Sequence, residues 1–97
     1  MLHVVNKSPF LHNNLQSCLR IAEQEDPIML IEDAVYAVAV GTSLEPMMRE
    51  ALKRHPIYAI RADLKARGIH QVLEGVNICD YSCFVDLAEH HQVFSWL

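Results

Sequence analysis

Short apolar runs alternate with segments of helical periodicity along the whole chain. Five strands are predicted, at residues 1–5, 28–31, 57–60, 76–79 and 93–97. Because the runs are mostly continuous rather than alternating, the strands belong in a sheet that is covered on both faces. Regular alternation of strands and helices predicts parallel pairing through right-handed crossovers. The pattern therefore predicts an α/β fold, a small three-layer α/β/α sandwich of the flavodoxin-like kind with a mainly parallel sheet of four or five strands.

Residues that favour helix ends set the boundaries of the intervening helices. Side chains that can cap a helix N-terminus stand at Asn13 or Asn14, Asp33, Ser43 and Asp80. Glycines that can end a helix stand at Gly41 and Gly68. The predicted helices therefore run from 13 or 14 to about 23, from 34 to 40, onward from 44, from 62 to 67, and from 81 to 90 or 91.

The composition bounds the size of the core and suggests association. A chain of 97 residues has room for one domain, which we expect to span 1–97. Hydrophobic residues make up 52% of the chain and charged residues only 21%, which is apolar for a small domain with proportionally more surface to cover. The surplus predicts an apolar face for partner subunits.

Charge and cysteine content exclude some partners. The formal charge is −4, and the two small basic clusters, at 49–54 and 61–67, lack the density that nucleic-acid binding requires. No stretch approaches the ~20 apolar residues of a membrane span, and the N-terminus lacks a signal-peptide pattern. Three cysteines without a secretory signal predict free thiols in a reducing cytoplasm. We therefore expect a cytoplasmic protein that contacts neither nucleic acid nor membrane directly.

Cys18, in the first predicted helix, is the sharpest candidate for chemistry. Its spacing places it in the apolar stripe of that helix, where a free cysteine usually acts as a small buried hydrophobe. A reactive thiol instead needs exposure and an electropositive setting, which Lys7, His12 or Arg20 could supply. From these residues alone, both the core interpretation and the reactive one stay open.

The other two cysteines flank the start of the last predicted helix. Cys79 ends an apolar strand and is expected to be buried. With Asp80 as the cap, Cys83 lies in the first helical turn, where backbone N–H groups favour a thiolate, although the charge of Asp80 opposes it. The spacing of this pair with His90 and His91 does not match a structural zinc site. No metal ligand set is therefore expected.

Two further features have plain and functional interpretations. Glu32 and Asp33 follow the second strand, where paired carboxylates can serve acid–base chemistry, but the simpler interpretation is a solvated Glu32 and a capping Asp33. The loops at 7–9 and 42–43 leave open a small-anion or nucleotide site. The chain contains no glycine-rich nucleotide motif, zinc-protease motif or nucleophile elbow. No cofactor is therefore expected.

Five segments together carry a recognisable pattern. They are LHVVNKSPF at 2–10, LIEDAV at 30–35, DLKARG at 63–68, DYSCFVDL at 80–87 and SWL at 95–97. In this order and spacing they resemble the DsrH/TusB family of bacterial sulfur-relay subunits, over nearly the whole chain. Cys18 and the NKSPF segment are similar to the DsrH type, since well-known TusB-type members have an apolar residue at the position of Cys18.

The resemblance implies a place in a larger assembly. Members look like the smallest of three related subunits, two copies of each forming a heterohexamer of the DsrEFH or TusBCD type. The sister subunits are of the DsrE/TusD type, which carries the principal persulfide-forming cysteine, and of the DsrF/TusC type. Such complexes pass sulfane sulfur from a TusA-type donor to a DsrC- or TusE-type acceptor. The sulfur serves 2-thiouridine synthesis at the tRNA wobble position or dissimilatory sulfur oxidation.

Three hypotheses follow. The favoured one is a mainly structural and docking subunit of this sulfur relay. In the second, Cys18 accepts a persulfide and Lys7 or His12 steadies the thiolate, which would make the chain at most a sulfurtransferase subunit. The third is a stand-alone flavodoxin-like module that binds a small anion or nucleotide.

Overall fold

A computed structural model describes residues 1–97 as a parallel sheet with helices packed on both faces. The strands are β1 (Leu2–Val5), β2 (Ile28–Leu30), β3 (Ile57–Ile60), β4 (Asn77–Cys79) and β5 (Val93–Trp96). The helices are α1 (Asn14–Ile21), a 3₁₀ helix (Glu32–Val38), α2 (Glu45–Arg54), α3 (Arg61–Ala66) and α4 (Tyr81–His90). The predicted α/β class and its parallel sheet are therefore confirmed.

The strand order decides which helix covers which face. The five strands lie in the order β4-β3-β2-β1-β5, and every neighbouring pair is parallel. The chain steps in one direction from β1 to β4, so right-handed crossovers place α1, the 3₁₀ helix, α2 and α3 on one face, which we call the four-helix face. The connection from β4 to β5 runs back across the sheet. It places α4 alone on the other face, which we call the α4 face.

The two faces differ in how well they are covered. Beneath the four-helix face lies a cluster of 16 buried residues, whereas the cluster on the α4 face has five: Leu2, Val4, Met29, Ile60 and Cys79. The side chains of α4 that pack on this second cluster are only partly buried, and no residue of α4 is fully buried. One helix is therefore a thin cover for this face of a five-stranded sheet.

Helix ends show where local sequence signals succeed and fail. Asp80 caps α4 as predicted, since its carboxylate accepts the backbone N–H of Cys83 at 2.9 Å. The predicted caps at Asp33 and Ser43 are wrong. Asp33 is bound by Arg67 instead, with Nε to Oδ1 at 2.9 Å. Near Ser43, the Thr42 hydroxyl accepts the N–H of Leu44 at 3.1 Å.

The middle of the chain departs from the predicted boundaries for a tertiary reason. The helix expected from 34 to 40 is a 3₁₀ helix that ends at Val38, before Gly41. Ala39 forms an antiparallel bridge with Val72, and Leu73 N–H donates to the carbonyl of Val38 at 2.9 Å. Pairing with this distant segment ends the helix early. The longest helices of the chain have ten residues, and none has the length and apolar character needed to cross a membrane.

Candidate functional site

Cys18 lies in the core of the four-helix face. Its side chain is 0% exposed and packs in the same cluster as Leu15 and Leu19 of α1. Burial raises the pKa of the Cys18 thiol to about 12, and the negative charge of Asp26 adds to the increase. At neutral pH the thiol is therefore protonated and enclosed by apolar side chains, which is the opposite of the setting that makes a cysteine reactive.

Lys7 and His12 lie on the loop between β1 and α1, at the carboxyl edge of the sheet. Both side chains are exposed, and neither forms a hydrogen bond or an ion pair. Cys18 stands four residues into α1, about 6 Å along the helix axis from the end that joins this loop. The charged group that acts on Cys18 is Asp26. The structure thus places the three predicted site residues in two environments, one buried and one exposed.

The carboxylates at the same edge are held by structural contacts. Arg67 binds Asp33, and its Nη1 also donates to the carbonyl of Asp63 at 3.2 Å. The Asp63 carboxylate accepts the backbone N–H of Glu32 at 2.8 Å. That bond holds Glu32 at φ +50°, a conformation that non-glycine residues seldom adopt. These contacts join the start of the 3₁₀ helix to α3 through the Asp33 carboxylate and the Glu32 backbone, so both residues serve the fold here.

Cys79 and Cys83 correct the prediction that all three cysteines are free. They form a disulfide that joins the end of β4 to the first turn of α4, and only Cys18 remains a free thiol. As predicted, Cys79 is buried, with 1% of its surface exposed, whereas Cys83 is partly exposed. From the sequence, this pair was considered only as metal ligands, and free thiols were predicted from the absence of a secretory signal, although the spacing of four residues across a strand–helix turn was a visible signal of pairing.

Beside the disulfide lies an open cleft of about 260 Å³, between α3 and the start of α4. Its lining residues are Ile60, Arg61, Ala62, Lys65, Asp80 and Tyr81. Arg61 and Lys65 are exposed, and neither forms an ion pair within the chain. The cleft therefore presents two cations and one carboxylate next to the disulfide.

At the opposite, amino edge of the sheet, His3 links β1 to β5 and to the loop before β2. The indole N–H of Trp96 donates to His3 Nδ1 at 3.1 Å, so the ring proton sits on Nε2 and is donated to the Asp26 carboxylate at 3.0 Å. His3 is only 3% exposed. The sequence analysis missed this network, although a histidine inside an otherwise apolar strand was its signal.

Asp26 is the centre of that network. Its carboxylate also accepts the N-terminal ammonium at 3.3 Å and the Glu23 backbone N–H at 3.0 Å. Partial burial raises the pKa of Asp26, but the hydrogen bond from His3 and the bonds from Glu23 and the N-terminus outweigh it, so the net pKa is below its ordinary value. Asp26 is thus an ionised acceptor that binds the N-terminus directly and reaches Trp96 of β5 only through His3.

His55 extends the network from the carbonyl side of Asp26. Its Nδ1–H donates to the Asp26 carbonyl at 3.0 Å, and its Nε2 is buried without a partner. Burial lowers the pKa of His55 below its ordinary value, and the hydrogen bond to Asp26 opposes that decrease only in part. The folded chain therefore holds His55 neutral.

We expect His55 to make the chain less stable as the pH falls from 7.5 to 5.5. In this range the unfolded chain binds a proton on His55 that the folded chain resists, which costs up to about 1.4 kcal/mol. The variant His55→Asn keeps an N–H near the position of Nδ1 but does not titrate, and its urea-unfolding free energy should change less with pH. His70→Asn, at an exposed site, controls for the loss of one imidazole. Equal pH dependence in His55→Asn and the parent chain would contradict the prediction.

Known proteins are similar to this chain over nearly its whole length. The model of the family described as DsrH like protein matches residues 7–94. Protein TusB from Pectobacterium atrosepticum is 36% identical over 98 residues, covering 99% of this chain and all of its own. Protein TusB from Shigella flexneri is 33% identical over 98 residues, with the same coverage.

Solved structures show the same fold at lower identity. The crystal structure of the ychN protein from E.coli matches with a TM-score of 0.82 and 20% identity, over 97% of each chain. A protein of unknown function from Methanobacterium thermoautotrophicum matches with a TM-score of 0.66 and 16% identity, over 97% of this chain and 95% of its own. At these identities the likeness supports the fold alone.

Proposed function

Because the chain belongs to the DsrH/TusB family of sulfur-relay subunits, we propose that it is a docking subunit of a cytoplasmic sulfur-relay heterohexamer. Its partners in this proposal are sister subunits of the DsrE/TusD and DsrF/TusC types. The complex takes sulfane sulfur from a TusA-type donor and passes it to a DsrC- or TusE-type acceptor. The acceptor then serves tRNA wobble thiolation or sulfur oxidation.

The thin cover of the α4 face is the observation that carries the docking role. Tyr81 and Val85, one turn apart on α4, are 62% and 54% exposed, and Val93 of β5 is 48% exposed. Val93 pairs with Leu2 in register, so it points to the α4 face. Aromatic and aliphatic side chains exposed on one helix favour contact with another protein over contact with water.

The burial of Cys18 supports a structural role for it in this subunit. A persulfide carrier must expose a thiolate to the donor and then to the acceptor, and the raised pKa and complete burial of Cys18 oppose both steps. In this proposal the sulfur is carried by a cysteine of a sister subunit, and Cys18 fills the core beneath α1.

The stand-alone anion-binding module has less support. The Ser8 hydroxyl accepts the N–H of Phe10 at 3.2 Å, and the Thr42 hydroxyl accepts the N–H of Leu44. Both hydroxyls thus stabilise their own turns. Equilibrium dialysis against phosphate, nucleotides and flavin should show no retention by the purified chain, and retention of any of them would revive this function.

A charge on the outer face of α4 should prevent assembly. We expect Val85→Asp to weaken binding to co-expressed DsrE/TusD- and DsrF/TusC-type subunits at least tenfold, because a carboxylate would lose its water in the interface without a partner. The matched control is Val40→Asp. Val40 is 47% exposed and follows the 3₁₀ helix on the four-helix side of the sheet.

Native mass spectrometry of affinity-purified complexes measures the outcome. The proposal predicts a heterohexamer with Val40→Asp and with the parent chain, and free subunits with Val85→Asp. Circular dichroism should show that both variants are folded, since both sites are exposed. A heterohexamer that tolerates Val85→Asp, or one that is lost equally with both variants, would contradict docking through α4.

A further inference from the structure

The disulfide between Cys79 and Cys83 has no part in the docking role. It joins the carboxyl end of β4 to the first turn of α4, the helix that covers the α4 face. Carboxyl ends of parallel strands are where α/β folds commonly carry their chemistry. The pair therefore combines a disulfide, whose sulfurs a thiolate can attack, with a position suited to a site.

The two sulfurs differ in access, which gives the bond a direction of attack. Cys79 is 1% exposed and lies in the buried cluster of the α4 face, whereas Cys83 is partly exposed and only packs against that cluster. Thiol–disulfide exchange depends on which sulfur an incoming thiolate can reach. An external thiolate can therefore attack Cys83, and Cys79 is the leaving group.

A disulfide in the cytoplasm is expected to be reactive. Cytosolic disulfides are usually transient and either catalytic or redox-sensing, because cellular thiols reduce them. This step rests on the cytoplasmic location in the proposed function. The accessibility of Cys83 is a separate observation that holds in any compartment.

The adjacent cleft suggests the class of thiol. Arg61 and Lys65 present two unpaired positive charges there, against the single carboxylate of Asp80. Asp80 also accepts the N–H of Cys83, so part of its charge is already engaged. A thiol that carries carboxylates fits this cleft better than a neutral or cationic one.

We propose that Cys79 and Cys83 form a reversible dithiol–disulfide site that exchanges with anionic thiols through Cys83. The incoming thiolate attacks Cys83 Sγ, the Cys79–Cys83 bond breaks, and Cys79 leaves and takes a proton. A second thiolate then attacks the sulfur of the first thiol in the mixed disulfide and releases Cys83. Two external thiols lose two electrons and become a disulfide, while Cys79 and Cys83 gain them and become thiols.

Equilibration of the purified full-length chain in glutathione buffers of varied redox ratio tests reversibility. After acid quenching and alkylation, mass spectrometry should show conversion between disulfide and dithiol with both states populated across the series, in a chain that circular dichroism shows to be folded. A disulfide that persists in the folded chain at every ratio would overturn the proposal, as would a dithiol that never oxidises.

A matched pair of variants tests the direction of attack. With oxidised glutathione, Cys79→Ala should accumulate the mixed disulfide on Cys83 at least tenfold faster than Cys83→Ala accumulates it on Cys79. Equal rates would overturn the assignment of Cys83 as the attacked sulfur. The glutathione titration uses the parent chain, so it decides whether the disulfide is reversible even where one of these variants folds poorly.

Charge selectivity is tested at the cleft. The double substitution Arg61→Gln and Lys65→Gln should slow reduction of the disulfide by glutathione about fivefold and leave reduction by 2-mercaptoethanol unchanged. Equal slowing with both thiols, or no slowing with either, would overturn the preference for anionic thiols. All of these measurements use the isolated chain, so failure of subunit assembly leaves their result unaffected.

Discussion

The thiol of Cys18 is expected to react with iodoacetamide at least about 10³-fold more slowly in the folded chain than in the unfolded chain at pH 7.5. A thiol with a pKa of about 12 has roughly 10³-fold less thiolate at this pH than an ordinary cysteine thiol. Complete burial of the side chain adds a steric barrier. Alkylation therefore has to wait for local or global unfolding.

The measurement uses the variant with Cys79→Ala and Cys83→Ala, which leaves Cys18 as the single thiol. Mass spectrometry follows labelling in buffer and in guanidinium chloride, with the unfolded chain as the internal reference. The same labelling should be repeated in the proposed heterohexamer, where subunit contacts would change the access to Cys18. Labelling of Cys18 within tenfold of the unfolded rate, in either state, would contradict a core role and support the persulfide-carrier hypothesis.

Sulfur transfer itself gives an independent test of that hypothesis. We expect a complex reconstituted with Cys18→Ala to pass sulfur to its acceptor at the rate of the parent complex, because alanine keeps the site apolar and removes only the thiol. Lys7→Ala and His12→Ala should behave in the same way, since both side chains are exposed and form no hydrogen bond or ion pair. Loss of transfer with Cys18→Ala in an intact complex would make this subunit a carrier.

Removal of the Asp26 carboxylate should cost about 3 kcal/mol in the free energy of unfolding. Asp26→Ala leaves the Nε2–H of His3 without an acceptor at a site that is 3% exposed, and an unsatisfied buried donor costs about 1–3 kcal/mol. The bonds to the N-terminal ammonium and to Glu23 are lost as well. These two are more exposed and add less.

Urea denaturation of three variants separates the network from a general loss of charge. Asp26→Asn keeps one oxygen acceptor and should fall between the parent and Asp26→Ala. Glu50→Ala removes an ion pair with Lys53 that is largely exposed, and it should cost less than about 0.5 kcal/mol. A loss in Asp26→Ala no greater than that in Glu50→Ala would show that the network contributes little to stability.

Local patterns were sufficient for the architecture. The bounds of β3 match the predicted run at 57–60, and β5 and α4 lie where the pattern placed them. A buried strand between two helical layers must be apolar on both sides, so a run of consecutive apolar residues marks its position in the sequence. The cap at Asp80 succeeded for the same reason, since a capping bond spans only three residues.

Contacts between distant residues were beyond these patterns. His3 forms hydrogen bonds with Asp26 and Trp96, which are 23 and 93 residues away. Asp33 does not cap a helix as predicted but binds Arg67, 34 residues away. Each contact depends on the strand order and register, which periodicity does not encode. The surroundings of Cys18 were predicted only in part. The helical periodicity placed Cys18 on an apolar face but did not show how completely that face is covered.

The sequence by itself determined the class of fold, the approximate elements and, through resemblance, the family of sulfur-relay subunits. Only the tertiary structure decided that four helices cover one face and α4 alone the other, that Cys18 is enclosed, and that Cys79 bonds to Cys83. The physical reason is one of range. Solvent exposure repeats with the period of each helix or strand and is visible locally, whereas burial, pKa and sulfur pairing depend on which separate elements the crossovers bring together.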